Sequence, residues 1–86
     1  MTDSVRSVGV LDKSVAIIDA LVAGPASLGE LVDRTGLARP TVHRLAVALE
    51  GHDVLRRDEQ GRFRLGLRVL GWGRAVIGDS PDRKST

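Results

Sequence analysis

Apolar residues recur along this chain first at helical spacing and later at strand spacing. Leu11, Val15, Ile18 and Val22 follow 4-3-4 steps, with Ser14, Ile17 and Leu21 on an adjoining stripe. This predicts a first helix from about Val10 to Val22 whose apolar face is wider than one core requires. Gly24-Pro25 ends it. Ser27-Leu28-Gly29-Glu30 has the capping-box pattern, so a second helix starts there, with Leu28, Leu31 and Val32 on its buried side. Gly36 supplies the left-handed residue that stops this helix, and Leu37 plugs the turn. A third helix begins near Ala38 or Arg39. Pro40 is tolerated there because amides of a first turn have no intrahelical partner. Val42, Leu45, Ala46 and Leu49 form its core stripe, which leaves Arg39, Pro40, Thr41, His43, Arg44 and Val47 on the opposite side until Gly51.

Beyond Gly51 the period shortens to two. Phe63 and Leu65 alternate with Arg62 and Arg64, the mark of a half-buried strand. Asp58-Glu59-Gln60-Gly61 makes the turn back to Val54-Leu55-Arg56-Arg57. A last helix runs from Leu67 to about Ile77, carrying Leu70, Trp72, Val76 and Ile77 but also Gly71 and Gly73. The fold class is therefore mainly α with a small β-hairpin: a winged helix-turn-helix plus a C-terminal linker helix. The expected organisation is a disordered N-terminus over 1–8, a winged helix-turn-helix domain over 9–66, a linker helix over 67–78 and a flexible tail over 79–86.

Composition narrows the function. Eighty-six residues make one small domain, and a chain near this size buries only about 60% of its extended surface, so association with a second copy is expected. Without cysteine there are neither disulfides nor thiolate metal sites, and a reducing cytoplasm fits. Residues 1–8 contain no apolar run of the signal-peptide kind, and no stretch approaches a membrane span. The net charge of +2 is unevenly spread. Residues 1–33 carry two basic against five acidic groups, whereas residues 34–68 carry eight arginines against four acidic groups. The positive charge thus sits on the third helix and the hairpin. All of it there is arginine, whose planar fork suits phosphate and guanine. A merely solvated surface is the plainer reading of the same charges.

Catalysis fails on inventory. There is no Cys or Tyr, and the two histidines, His43 and His52, have no carboxylate at metal-ligand spacing. Asp58-Glu59 sits in a turn, and no Gly-rich phosphate loop appears. No enzyme, no cofactor and no metal are expected. Duplex DNA is the partner that the pattern fits. Arg39, at the start of the reading helix, can grip guanine O6 and N7. Thr41 can touch a phosphate or a thymine methyl, or only cap the helix start. His43 can donate to a phosphate or base, or simply occupy the polar face. Arg44 reads as a phosphate anchor. Ser27 and Thr35 flank helix ends, where hydroxyls and amides hold phosphates, although Ser27 can equally be only a cap. Arg62 at the wing tip can enter a narrow minor groove. Arg57 and Arg64 touch phosphate or solvent. Trp72 reads as packing rather than a stacking platform. Leu11, Val15, Ile18 and Val22, with Leu70 and Trp72, are the expected dimerisation surface.

The run Thr35-Gly36-Leu37-Ala38-Arg39-Pro40-Thr41-Val42-His43-Arg44-Leu45, joined to Arg57-Asp58 and Gly61-Arg62-Phe63-Arg64-Leu65-Gly66, resembles the DNA-binding domain of IclR-type bacterial transcriptional regulators over residues 8–77. The resemblance implies sequence-specific binding of a partially palindromic DNA site by a homodimer, paired through its first helix, in the cytoplasm at the bacterial nucleoid. It also implies a linker helix leading to a C-terminal effector domain, so that a small-molecule effector acts only through a domain absent from this chain, which reads as a truncation. Two positions depart from the pattern. Val10 stands where many relatives place a capping Ser, so the first helix frays or starts earlier, at Ser7. Pro40 stands where they carry Ser, Lys or Ala, which leaves base reading to Arg39, Thr41, His43 and Arg44. The alternative is a winged helix that serves protein interaction or dimerisation without reading DNA; exposed apolar or mixed charge over residues 34–68 would mark it. RNA binding ranks third, because RNA readers favour exposed aromatics and this chain has one Trp and one Phe.

Overall fold

The computed structural model describes the backbone of residues 2–78 and the side chains of residues 9–78. Six elements follow in order: α1 (Thr2–Val22), α2 (Leu28–Thr35), α3 (Arg39–Gly51), β1 (Leu55–Arg57), β2 (Phe63–Leu65) and α4 (Leu67–Gly78). This is the expected winged helix-turn-helix followed by a linker helix. One boundary moves: α1 begins at Thr2, well before both Val10 and Ser7, and takes in most of the segment expected to be disordered. Between Thr2 and Val10 there is no proline to break a helix. The tail expected over 79–86 lies outside the described residues.

The local signals act as their chemistry demands. The Ser27 hydroxyl accepts from the Glu30 amide at 3.1 Å, and the Ser27 amide donates to Glu30 Oε1 at 2.9 Å, closing the capping box. The Ser27 amide, then its hydroxyl, holds the Glu30 carboxyl below its ordinary pKa. Gly36 adopts φ 72°, and its amide closes on the Val32 carbonyl at 2.9 Å. Arg34 Nη1 donates to the Ala20 and Gly24 carbonyls at 2.9 and 3.2 Å. It thereby occupies acceptors at the C-terminal end of α1 and ties α2 to it.

The core comprises Ile17, Leu21, Ala26, Leu31, Val42, Ala46, Leu55 and Phe63, with Leu45 and Leu49 of the α3 stripe packed against it. On α1 the two stripes separate: Ile17 and Leu21 are buried, whereas Leu11, Val15 and Val22 are exposed and Ile18 is half-buried. α4 buries nothing, and Leu70 and Trp72 are about half exposed.

The hairpin pairs Leu55 with Leu65, Arg56 with Arg64 and Arg57 with Phe63, antiparallel. A rung not expected from sequence extends it: the Ala26 amide donates to the Phe63 carbonyl at 2.9 Å, and the Phe63 amide donates back at 2.8 Å. The loop between α1 and α2 thereby fixes the wing against the helical body. At the wing's base, Asp53 takes φ 60° as the chain leaves α3, and Gly66 donates to the Val54 carbonyl at 2.8 Å.

Candidate nucleic-acid interface

Burial of Val42 and Ala46 orients α3. With that stripe inward, Arg39, Pro40, His43, Arg44 and Val47 are exposed and Thr41 is half-buried. Ala38 precedes the helix without a side-chain cap, and Pro40 occupies its first turn. The amino-terminal end of α3 is therefore open, with its partial positive charge uncovered. The guanidinium of Arg39 lies beside the start of α2: Nη1 falls 3.9 Å from where a Cβ on Gly29 would sit, and Ser27 Oγ falls 4.0 Å from the same point. A bulkier residue at 29 would crowd that space.

Other candidates are already engaged within the domain. The Thr35 hydroxyl donates to the Leu31 carbonyl at 2.7 Å and accepts from the Leu37 amide at 3.2 Å. Its proton braces the turn between the two helices. Ser27 accepts in the capping box, and its hydroxyl also helps to lower the Glu30 pKa. Arg57 donates to Glu50 Oε1 at 3.3 Å and lies 4.6 Å above the Phe63 ring, so it bonds the wing to α3.

The wing tip is a closed network. One Asp58 carboxylate oxygen accepts from the Gln60 and Arg62 amides, each at 2.9 Å, while the other accepts from Arg62 Nε at 3.1 Å. Gly61, at φ 78°, completes the turn. Burial pushes the Asp58 carboxyl up, but the amide and guanidinium donors outweigh it and hold the pKa below the ordinary value. Arg62 thus stands at the tip as expected, held in place by Asp58. Two residues here escaped sequence reasoning. Arg56 lies directly opposite Arg64, and Asp58 organises the turn around Arg62. Counting register back from the turn would have found the first pair.

Among the described residues no group of three or more His, Cys, Asp or Glu is placed to hold a metal ion. Among the described residues no helix is long and apolar enough to cross a membrane.

The comparisons agree with this geometry. Residues 10–59 match the model of the IclR helix-turn-helix domain. The chain is 38% identical over 65 residues to the HTH-type transcriptional regulator KipR of Bacillus subtilis (strain 168), covering 74% of this chain and 26% of KipR. An IclR-family transcriptional regulator from Brucella abortus superposes with a TM-score of 0.79 at 25% identity, over 88% of this chain and 30% of that one. An IclR-family regulator from Rhodococcus sp. gives 0.70 at 32% identity, over 84% and 28%. The chain thus spans about a quarter to a third of these relatives. A reading as an interaction module without DNA contact is not favoured by relatives of this kind. With the wing, the open end of α3 and the matched stretch in register, the chain belongs to the IclR helix-turn-helix family, the DNA-binding domain of transcriptional regulators.

Proposed function

We propose that this domain reads a partially palindromic operator as a homodimer, with the N-terminal half of α3 in the major groove and the wing on the flanking backbone or minor groove. The observation that carries the reading is the outward row Arg39, Pro40, His43 and Arg44, set opposite the buried Val42 and Ala46. Arg39 is the principal base reader. Thr41 and His43 add contacts to base or phosphate, and Arg44 anchors phosphate. Ser27 lies at the start of α2 as a candidate backbone contact, and Thr35 supports the turn that sets α3. Arg57, Arg62 and Arg64 bring positive charge along the wing. The domain acts as a binding module without catalysis, in the cytoplasm and at the nucleoid, and a small-molecule effector acts through a separate domain.

Selection from random duplexes gives the preferred site. On that site Arg39→Ala should lose about 1–3 kcal/mol while binding to random DNA falls much less. Equal losses on both would reduce Arg39 to a phosphate contact.

Pairing is supported by the exposed row Leu11, Val15 and Val22 and by the uncovered apolar residues of α4. Two-fold pairing places two reading helices on successive major-groove faces, about one helical turn apart, which requires a near-palindromic site. Sedimentation on the selected duplex should show two domains per site. Val15→Glu should abolish the second without unfolding the domain, because Val15 is 45% exposed. One domain per duplex in the unsubstituted protein would overturn the dimer.

A further inference from the structure

The outer face of the hairpin carries two neighbouring rungs with opposite electrostatics. At the tip, Asp58 and Arg62 face each other across the turn and neutralise one another, Nε to Oδ2 at 3.1 Å. At the next rung on that face, Arg56 pairs with Arg64. Both are exposed, and neither has a carboxylate partner among the described residues, where the ion pairs are Arg57–Glu50 and Arg62–Asp58. Like charges directly opposed across an antiparallel pair destabilise it. The hairpin is short, three residues in each strand, so this cost falls where there is little to offset it. Local structure does not call for the pair either. Arg57 earns its place by stacking on Phe63 and Arg62 by holding the turn, whereas Arg56 and Arg64 make no such contact.

The surroundings suit an anion. Arg56 and Arg64 line a groove of about 420 Å³ together with Arg57 and Arg62, so that four arginines meet two carboxylates there, Asp58 and Glu59. Two guanidinium forks lining one groove can both donate to a single tetrahedral phosphate, which accepts from several directions at once. With Arg62 paired to Asp58 and Arg57 to Glu50, Arg56 and Arg64 are the lining cations without an ion pair among the described residues, and they outnumber the remaining carboxylate of the groove, Glu59.

We propose that Arg56 and Arg64 together clamp one phosphodiester of the duplex backbone beside the major-groove contact of α3. The proposal rests on the DNA-binding reading and refines it. The wing's main electrostatic anchor is this opposed pair, two rungs in from the tip on the same face, while Arg62 is held at the tip by Asp58. Binding of the phosphate removes the repulsion that the free hairpin bears, so the anchor and the adverse rung are one feature. The contact is blind to base identity and fixes the wing's position along the backbone.

The test measures affinity of the domain for its selected duplex and for a random duplex across a series of salt concentrations. The variants are Arg56→Gln, Arg64→Gln and the double variant. Losing one phosphate contact lowers the slope of log affinity against log salt by about 0.9. Arg56→Gln and Arg64→Gln should each lower it by up to that amount. The double variant should fall no further than the one lost phosphate, because the two side chains share it. The preferred base sequence should stay the same in all of them. In the free domain at low salt, Arg64→Glu should raise the melting temperature by removing the repulsion while it abolishes the anchor. A slope unaltered in the double variant, with the unsubstituted domain still binding its site, overturns the clamp and leaves DNA binding standing. A double variant that loses two contacts' worth of slope overturns the shared phosphate. An unsubstituted domain that prefers no duplex overturns the DNA-binding reading and the clamp with it. A melting temperature lowered by Arg64→Glu assigns the pair a structural role and also overturns the clamp.

Discussion

Phe63→Ala is expected to remove most of this domain's stability, about 3–5 kcal/mol. The ring is 3% exposed and is the chain's only phenylalanine. It closes the core where the wing meets α1, and Arg57 stacks over it at 4.6 Å. Its backbone also exchanges two hydrogen bonds with Ala26. Truncation leaves a cavity beneath the hairpin that short strands anchored at both ends cannot collapse into. Domains of this kind hold only about 5–15 kcal/mol in total, and small ones sit near the lower limit. Chemical denaturation should therefore show a transition that begins near zero denaturant, and the melting temperature should fall by more than about 10 °C. A loss below about 1 kcal/mol would mean that the wing does not share the core of the helical body. Leu31→Ala, which empties a fully buried site on α2, separates core damage from wing damage, because it leaves the Phe63 ring and the Arg57 stacked on it in place.

Gly66→Ala is expected to be nearly as damaging through one added methyl group. A Cβ at Gly66 would stand 2.2 Å from the Asp53 carbonyl oxygen and 2.8 Å from its carbon. Both are backbone atoms, so no side chain can swing aside. The Gly66 amide donates to Val54 at 2.8 Å, and the same Asp53 carbonyl accepts from the Arg68 amide at 3.1 Å. Relief of the clash therefore requires opening the junction where α3, the wing and α4 meet. Overpacking costs typically about 1–3 kcal/mol and more where backbone is involved, so about 3 kcal/mol is expected here. Because that junction sets the wing relative to α3, affinity for the selected duplex should also fall under conditions where the variant is folded. Gly71→Ala is the control. It sits within α4 with nothing within 4 Å of the added Cβ, and it should stabilise by roughly 0.5–1 kcal/mol through helix propensity. If Gly66→Ala melts with the parent, the close approach at Asp53 is not a constraint on the fold.

Much of this architecture was legible because its determinants lie within a few residues of one another. The capping box needs only Ser27 and Glu30, the stop of α2 needs only Gly36, and the inward face of α3 follows from the spacing of Val42 and Ala46. The wing turn likewise is local, built by Asp58, Gly61 and Arg62. The same periodicity placed Arg39, His43 and Arg44 outside, so the candidate reading face came from the sequence as well. The start of α1 was misplaced because the absence of an apolar stripe says nothing against a helix that extends beyond its packed turns. What tertiary structure alone decided are matters of distance between segments. The sequence offered two adjoining stripes on α1, the longer of them wholly apolar, and only packing against α2, α3 and β2 chose Ile17 and Leu21 for the core and left Leu11, Val15 and Val22 outside. The rung between Ala26 and Phe63 joins residues far apart in the chain, and backbone pairing of that kind has no side-chain signature. Gly66 gave no turn signal because its constraint is the space taken by Asp53. The arginines of residues 34–68 looked alike in sequence. Folding assigned Arg34 to α1, Arg57 to Glu50 and Phe63, and Arg62 to Asp58, while leaving Arg39, Arg44, Arg56 and Arg64 exposed to solvent. Charge composition determined that this face would be positive, but which cations remained available for a partner depended on the carboxylates and carbonyls that the fold carried within reach of each guanidinium.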